Sequence, residues 1–181
     1  MSVFIARPKD VSKTPFDDLP DELSERSSHA SHAKFLVGWR EWLALPDLGI
    51  PGIKAKVDTG ARTSALHTHD YTIFDGDRGE CVRFHIHPLV RRPEIEITCE
   101  APLLDRRQVK DSGGHPEDRP FIETTARIGR FEWKIQMSLT SREGMKFRML
   151  LGRTALAGLF LVDSRSSFLM GSSLFKSYPR R

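Results

Sequence analysis

The chain has 181 residues, 39% of them hydrophobic, and 28 Lys and Arg against 24 Asp and Glu. That length allows one domain with a real core plus a tail. Two cysteines, Cys81 and Cys99, are too few for a disulfide scaffold, and a net charge of +4 favours acidic partners while being too small to predict nucleic-acid binding.

Residues 1–34 hold five basic and six acidic side chains with no sustained period, and read as a flexible N-terminal arm. The apolar run before Arg7 is three residues long, so no secretory leader is expected. The folded part, residues 35–181, then carries 23 basic against 18 acidic residues, and the positive balance belongs to it. From Phe35, FLVGWREWLAL and GIKAKV predict two strands joined by PDLGIPG. Further on, CVRFHIH, EIEITCE and RFEWKIQMSL alternate with period two, which predicts three more strands. Gly129-Arg130 sits at hairpin distance between FIETTARI and the last of these. The polar stretch DRRQVKDSGGHPEDRP reads as a long functional loop. TALAG is the one convincing helical piece. The longest apolar stretch, FRMLLGRTALAGLFLV, is broken by Arg153 and is short for a bilayer span, so a soluble, cytoplasmic protein with no membrane partner is expected. Short strands with almost no amphipathic helix predict a mostly β, closed β structure.

The strand GIKAKV runs into Asp58-Thr59-Gly60. Asp and Gly are ordinary turn residues, but here the tripeptide lies between apolar residues, Ile53, Ala55 and Val57 before it and Ala61, Ala65 and Leu66 after it. About ninety residues later an apolar run ends in Leu150-Leu151-Gly152-Arg153, followed by the short helical piece. These two segments resemble the half-site of retropepsin-like aspartic peptidases. More narrowly, VDTGARTSALH with RPFIETTARIG, SLT and FRMLLGRTAL is similar to a bacterial family named ATP-dependent zinc proteases, whose members often accompany ATP-grasp ligases that add glutamate to proteins. The resemblance covers about residues 36–171.

The resemblance implies a retropepsin-like acid-protease barrel with one short helix, and an aspartic peptidase in which two carboxyl groups share one proton. Asp58 is then the catalytic residue. Thr59, Gly60 and Ala61 are the supporting loop, Thr59 bonding across loops and Gly60 allowing the tight turn. Leu151 and Gly152 are structural residues beside the site. Asp111, in Lys-Asp-Ser-Gly-Gly, and Asp163, in Val-Asp-Ser-Arg, are poor matches to a second half-site in this chain. A homodimer in which each copy supplies Asp58 is expected instead. Arg62 and Arg153 flank the loop pieces and are candidate substrate-binding residues. With the family's company they suggest an acidic or glutamylated peptide substrate and a link to an ATP-grasp glutamate ligase.

No His-Glu-x-x-His and no phosphate-binding Gly-rich loop is present, so neither a metal nor ATP is expected as a cofactor of this chain. The residues with metal chemistry are His67, His69, Cys81, His85, His87, Cys99 and His115, and a strand would place Cys81, His85 and His87 on one face, so a zinc-binding protein is one alternative. The other is a non-catalytic peptide-binding module of the same fold. A flap-like hairpin over the cleft is expected within residues 81–100.

Overall fold

The computed structural model describes residues 34–110, 114–141 and 144–178. The expected arm, apart from Lys34, and Asp111 lie outside the described residues.

Two strands replace the first expected one. β1 (Phe35–Gly38) and β2 (Arg40–Leu45) are separated at Trp39. The corner is held by Glu41, a fully buried carboxylate. Its Oε1 accepts the Gly38 N–H at 2.7 Å and the Leu169 N–H at 2.9 Å, and its Oε2 accepts the Met170 N–H at 3.3 Å. A buried charge is tolerable here because three backbone donors replace water.

A 3-10 turn at Pro46–Leu48 leads to β3 (Ile50–Asp58). Ile53, Ala55 and Val57 are buried, and Lys54, Lys56 and Asp58 take the other face, as period two requires. β4 (Ser64–His67) follows the Asp-Thr-Gly loop. β5 (Tyr71–Gly76), β6 (Gly79–Ile86) and β7 (Ile97–Pro102) form a three-stranded antiparallel sheet. Val82, Phe84 and Ile86 bury their alternate face as expected. β7 starts three residues later than EIEITCE suggested, because Arg92 and Ile95 close turns onto Leu89 and Arg92 through N–H···O=C bonds of 3.0 and 3.1 Å.

The long polar loop is not a loop. Most of it is a hairpin of β8 (Asp105–Lys110) and β9 (Pro116–Ile128), paired from Asp105–Phe121 to Lys110–Pro116. Charged residues on both faces hid its period. Arg107 bonds Asp105 two residues away, and Arg119 bonds Glu117 likewise, so same-face ion pairs take the place of an apolar face.

β9 turns at Gly129-Arg130 into β10 (Phe131–Thr140), with Phe131 opposite Ile128. Gly129 has φ +56°, the left-handed conformation this two-residue turn demands. β11 (Met149–Gly152), helix α1 (Arg153–Leu156) and β12 (Phe160–Asp163) complete the order. The main sheet runs β10-β4-β11-β3-β2-β9-β8, and β9 also pairs with β10, so six strands form a nearly closed ring with β8 outside it. The ring interior holds Leu43, Ile53, Leu66, Ile122, Met137 and Leu151, all fully or almost fully buried. β1 and β12 pair in parallel as a separate ribbon. The fold is mostly β with one short helix. No helix among the described residues is long and apolar enough to cross a membrane.

Candidate active site

Asp58 is the last residue of β3, where the ladder ends and the chain turns. Its Oδ1 accepts the Gly60 N–H at 3.1 Å and the Ala61 N–H at 3.3 Å. The tripeptide is therefore an Asx-type turn, which is why Asp and Gly stand two apart. Its Oδ2 accepts a 3.0 Å bond from the Lys56 ammonium, and the carboxylate side chain keeps 24% of its exposure. Burial pushes this carboxyl up, but the Lys56 charge and the Ala61 and Gly60 amides outweigh it and hold its pKa below the ordinary carboxylate value. Lys56 was not singled out in the sequence. Its signal was the i, i+2 spacing on a strand, which puts both side chains on one face.

The second motif segment lies against the first. β11 runs parallel to β3 with Leu151 beside Val57 and Gly152 beside Asp58. A Cβ on Gly152 would sit 2.4 Å from the Thr63 carbonyl carbon and 2.8 Å from the Ser64 nitrogen, so only glycine lets the Asp58 loop pass. The Gly152 N–H donates to Ser64 Oγ at 3.1 Å. The start of α1 then caps the loop: the N–H groups of Arg153 and Thr154 donate to the carbonyls of Ala61 and Arg62 at 2.8 and 3.0 Å. The Arg153 guanidinium donates to the Thr59 carbonyl at 3.1 Å. Ala61 is thus held from both sides, and Arg153 is a brace of the loop. The Thr59 side chain is exposed and makes no hydrogen bond among the described residues.

Arg62 is exposed and, with Thr63, walls a cavity of about 780 Å³. Arg107 and Lys110 of β8 and Lys134 of β10 add three more cations, against Glu123 as the one lining carboxylate. The hairpin over this cavity is β8–β9; residues 81–100, expected to supply a flap, do not line it.

The loop, its glycine-ended companion strand and its helical cap are a retropepsin-type half-site. Over residues 36–172 the chain matches the family described as "RimB-like: Retropepsin-like aspartic endopeptidase RimB". It belongs to the RimB-like family. Curated relatives include a "Probable alpha-L-glutamate ligase" of Shewanella halifaxensis, 41% identical over 78% of this chain and 31% of its own length. One of the same name from Desulfotalea psychrophila is 38% identical over 82% of this chain and 33% of its own length. The RimB-like chain spans about a third of the curated relatives it matches. A Legionella pneumophila crystal structure of unknown function superposes with a TM-score of 0.65 at 23% identity, covering 76% of this chain and 99% of that one, which shows the shared fold.

Among the described residues, the other candidate aspartate, Asp163, is occupied elsewhere. Asp163 caps its own turn, accepting from the Arg165 N–H at 2.8 Å and the Ser166 hydroxyl at 2.6 Å. His85 Nδ1 lies 2.7 Å from Asp70, and His87 Nδ1 lies 3.1 Å from the Ile95 carbonyl oxygen. Cys81 is a partly exposed free thiol. Among the described residues no group of three or more His, Cys, Asp or Glu side chains is arranged to hold a metal ion.

Proposed function

We propose that this RimB-like chain is an aspartic peptidase whose catalytic dyad is two Asp58 carboxyl groups, one from each of two copies. The carrying observation is Asp58 itself: a half-enclosed carboxylate at a strand end, fixed by two amides and set against Gly152. One such loop supplies half a dyad. Two further observations support a second copy. Thr59 is exposed, so its side chain is accessible to a facing loop. Leu36 and Leu161, register partners on the β1–β12 ribbon, are 50% and 52% exposed. That ribbon ends next to the site, since the Trp39 carbonyl accepts the Val57 N–H at 2.9 Å.

In the dyad one carboxyl is ionised and one protonated, because like charges that close do not both ionise. The ionised member takes a proton from a water molecule as the water attacks the peptide carbonyl carbon. The protonated member gives its proton to the carbonyl oxygen. Collapse of the tetrahedral adduct expels the amine, which leaves protonated. The substrate we infer is an acidic, glutamate-rich peptide, drawn to the cationic cavity beside Arg62 and made by a glutamate-adding ligase of the kind its relatives are named for.

Asp58→Asn tests this. The amide is nearly isosteric, so the melting curve should stay unchanged while hydrolysis of a peptide library falls to background. Wild-type activity should persist without ATP and in the presence of a chelator. The ion pair with Lys56 favours a second reading, a peptide-binding module in which the carboxylate stays ionised. Peptide binding by wild type with no Asp58-dependent cleavage would establish that reading instead.

A further inference from the structure

Alternation along β2 puts Glu41 on the same face as Leu43, and both are fully buried. A buried carboxylate adds little stability over a well-packed apolar residue. It does what an apolar residue cannot, which is to satisfy backbone donors from separate segments. Glu41 takes the Gly38 N–H from the β1–β2 corner and the Leu169 and Met170 N–H groups from the stretch after β12.

That stretch is a strap bonded along the corner. It leaves β12 through the Asp163 turn, where the Arg165 N–H and the Ser166 hydroxyl donate to the carboxylate. The Ser166 carbonyl accepts the Trp39 N–H at 3.0 Å, and the Phe168 N–H donates to the Arg40 carbonyl at 3.0 Å. Arg40 Nε donates to the Ser167 hydroxyl at 3.1 Å. Phe168, at φ +58°, is the one left-handed non-glycine residue among the described residues. Such a conformation persists only where the surroundings impose it.

The corner passes this constraint to the candidate site. The ladder between β2 and β3 ends with Arg40 opposite Lys56. Beyond it, the Trp39 carbonyl accepts the Val57 N–H at 2.9 Å, one residue before Asp58. Trp39 thus has its N–H on the strap and its carbonyl on the strand end that carries the aspartate.

We propose that Glu41 is a positioning residue for Asp58. By clamping the strap onto the corner it fixes Trp39, and through Trp39 the end of β3. The inference rests on the peptidase reading for its effect on turnover, while the coupling itself is read from the backbone.

The test is Glu41→Gln in the full chain, followed by amide hydrogen exchange residue by residue in NMR. Glutamine keeps a carbonyl for the Gly38 and Leu169 donors but sets an NH2 group against the Met170 N–H. Leu169, Met170, Trp39 and Val57 should exchange about tenfold faster, the scale of one lost hydrogen bond. The Leu66 and Ile122 amides, within the ring, should keep their wild-type rates. Faster exchange confined to Leu169 and Met170 overturns the coupling. A uniform rise across the ring marks a residue that only stabilises the fold, and overturns it too. With an active peptidase, kcat should fall by about tenfold at unchanged KM, because a shifted carboxylate alters the reacting geometry and not the substrate contacts. A raised KM at wild-type kcat counts against the proposal. If Glu41→Gln does not fold, Asp163→Ala decides, since it opens the entry turn of the strap without touching the buried carboxylate and should speed the same four amides. A chain that cleaves nothing, yet loosens at Trp39 and Val57 in the variant, removes the peptidase reading and keeps the coupling. Asp58-dependent cleavage with Trp39 and Val57 unmoved does the reverse.

Discussion

At the level of single residues, Lys56 changes what Asp58 is. A retropepsin-type dyad needs one proton between two carboxyl groups, and an ammonium 3.0 Å from Asp58 works against that proton. Lys56→Met removes the charge that most lowers the Asp58 pKa, so both apparent pKa values of the proposed dyad should rise. The pH–rate profile should therefore move as a whole to higher pH, whereas Lys56→Arg should leave it near the wild-type position. An unmoved profile in a folded Lys56→Met protein would show that the ion pair opens before catalysis. The motif made Asp58 legible, but not Lys56: a lysine in an alternating strand reads as a solvated face unless its i+2 neighbour is already known to matter. Arg153 carries a role that its position did not announce: beside the substrate contact expected of it, its guanidinium braces the Thr59 carbonyl.

Between elements, the decisive junction is Gly152 against Thr63 and Ser64. All three clashing atoms of an added Cβ are backbone, so no side-chain rotation relieves them. Gly152→Ala should destabilise the fold by about 1–3 kcal/mol, the usual cost of overpacking. The measurement is a lower denaturant midpoint at unchanged slope, with peptidase activity lost out of proportion because the Asp58 loop must shift. Wild-type stability and activity would mean that β11 and the loop can part freely. Strands with one apolar face, β3, β6 and β10, were legible because alternation reports a half-buried sheet. The β8–β9 hairpin was not, since Arg107–Asp105 and Arg119–Glu117 satisfy each face locally and leave no hydrophobic trace. β5 failed for a related reason: none of its six residues is fully buried.

For the whole molecule, the ring of six strands sets Asp58 at a strand end, and the proposed dyad would take its second carboxyl from a second copy. Mixing wild type with excess Asp58→Asn chains, with time for exchange, should suppress activity beyond simple dilution, because most wild-type chains then sit in mixed pairs. Activity falling only in proportion to wild-type content would place a complete site in each chain. Sedimentation of the same samples should show a dimer whose population depends on concentration.

The amino-acid order by itself determined the half-site. Asp-Thr-Gly after an alternating strand and Leu-Leu-Gly before a helical turn are local requirements of backbone geometry, a carboxylate that bonds the amides two and three residues on and a glycine where no Cβ fits. The companion segments are about ninety residues apart, and their likeness to a known half-site bridged that distance. Only the tertiary structure decided which charges surround the carboxylate. Lys56 stands beside Asp58 on β3 and β2 sets Arg40 opposite Lys56, and that gathering depends on sheet register, a property set by the packing of the buried faces that no local pattern of charges reveals.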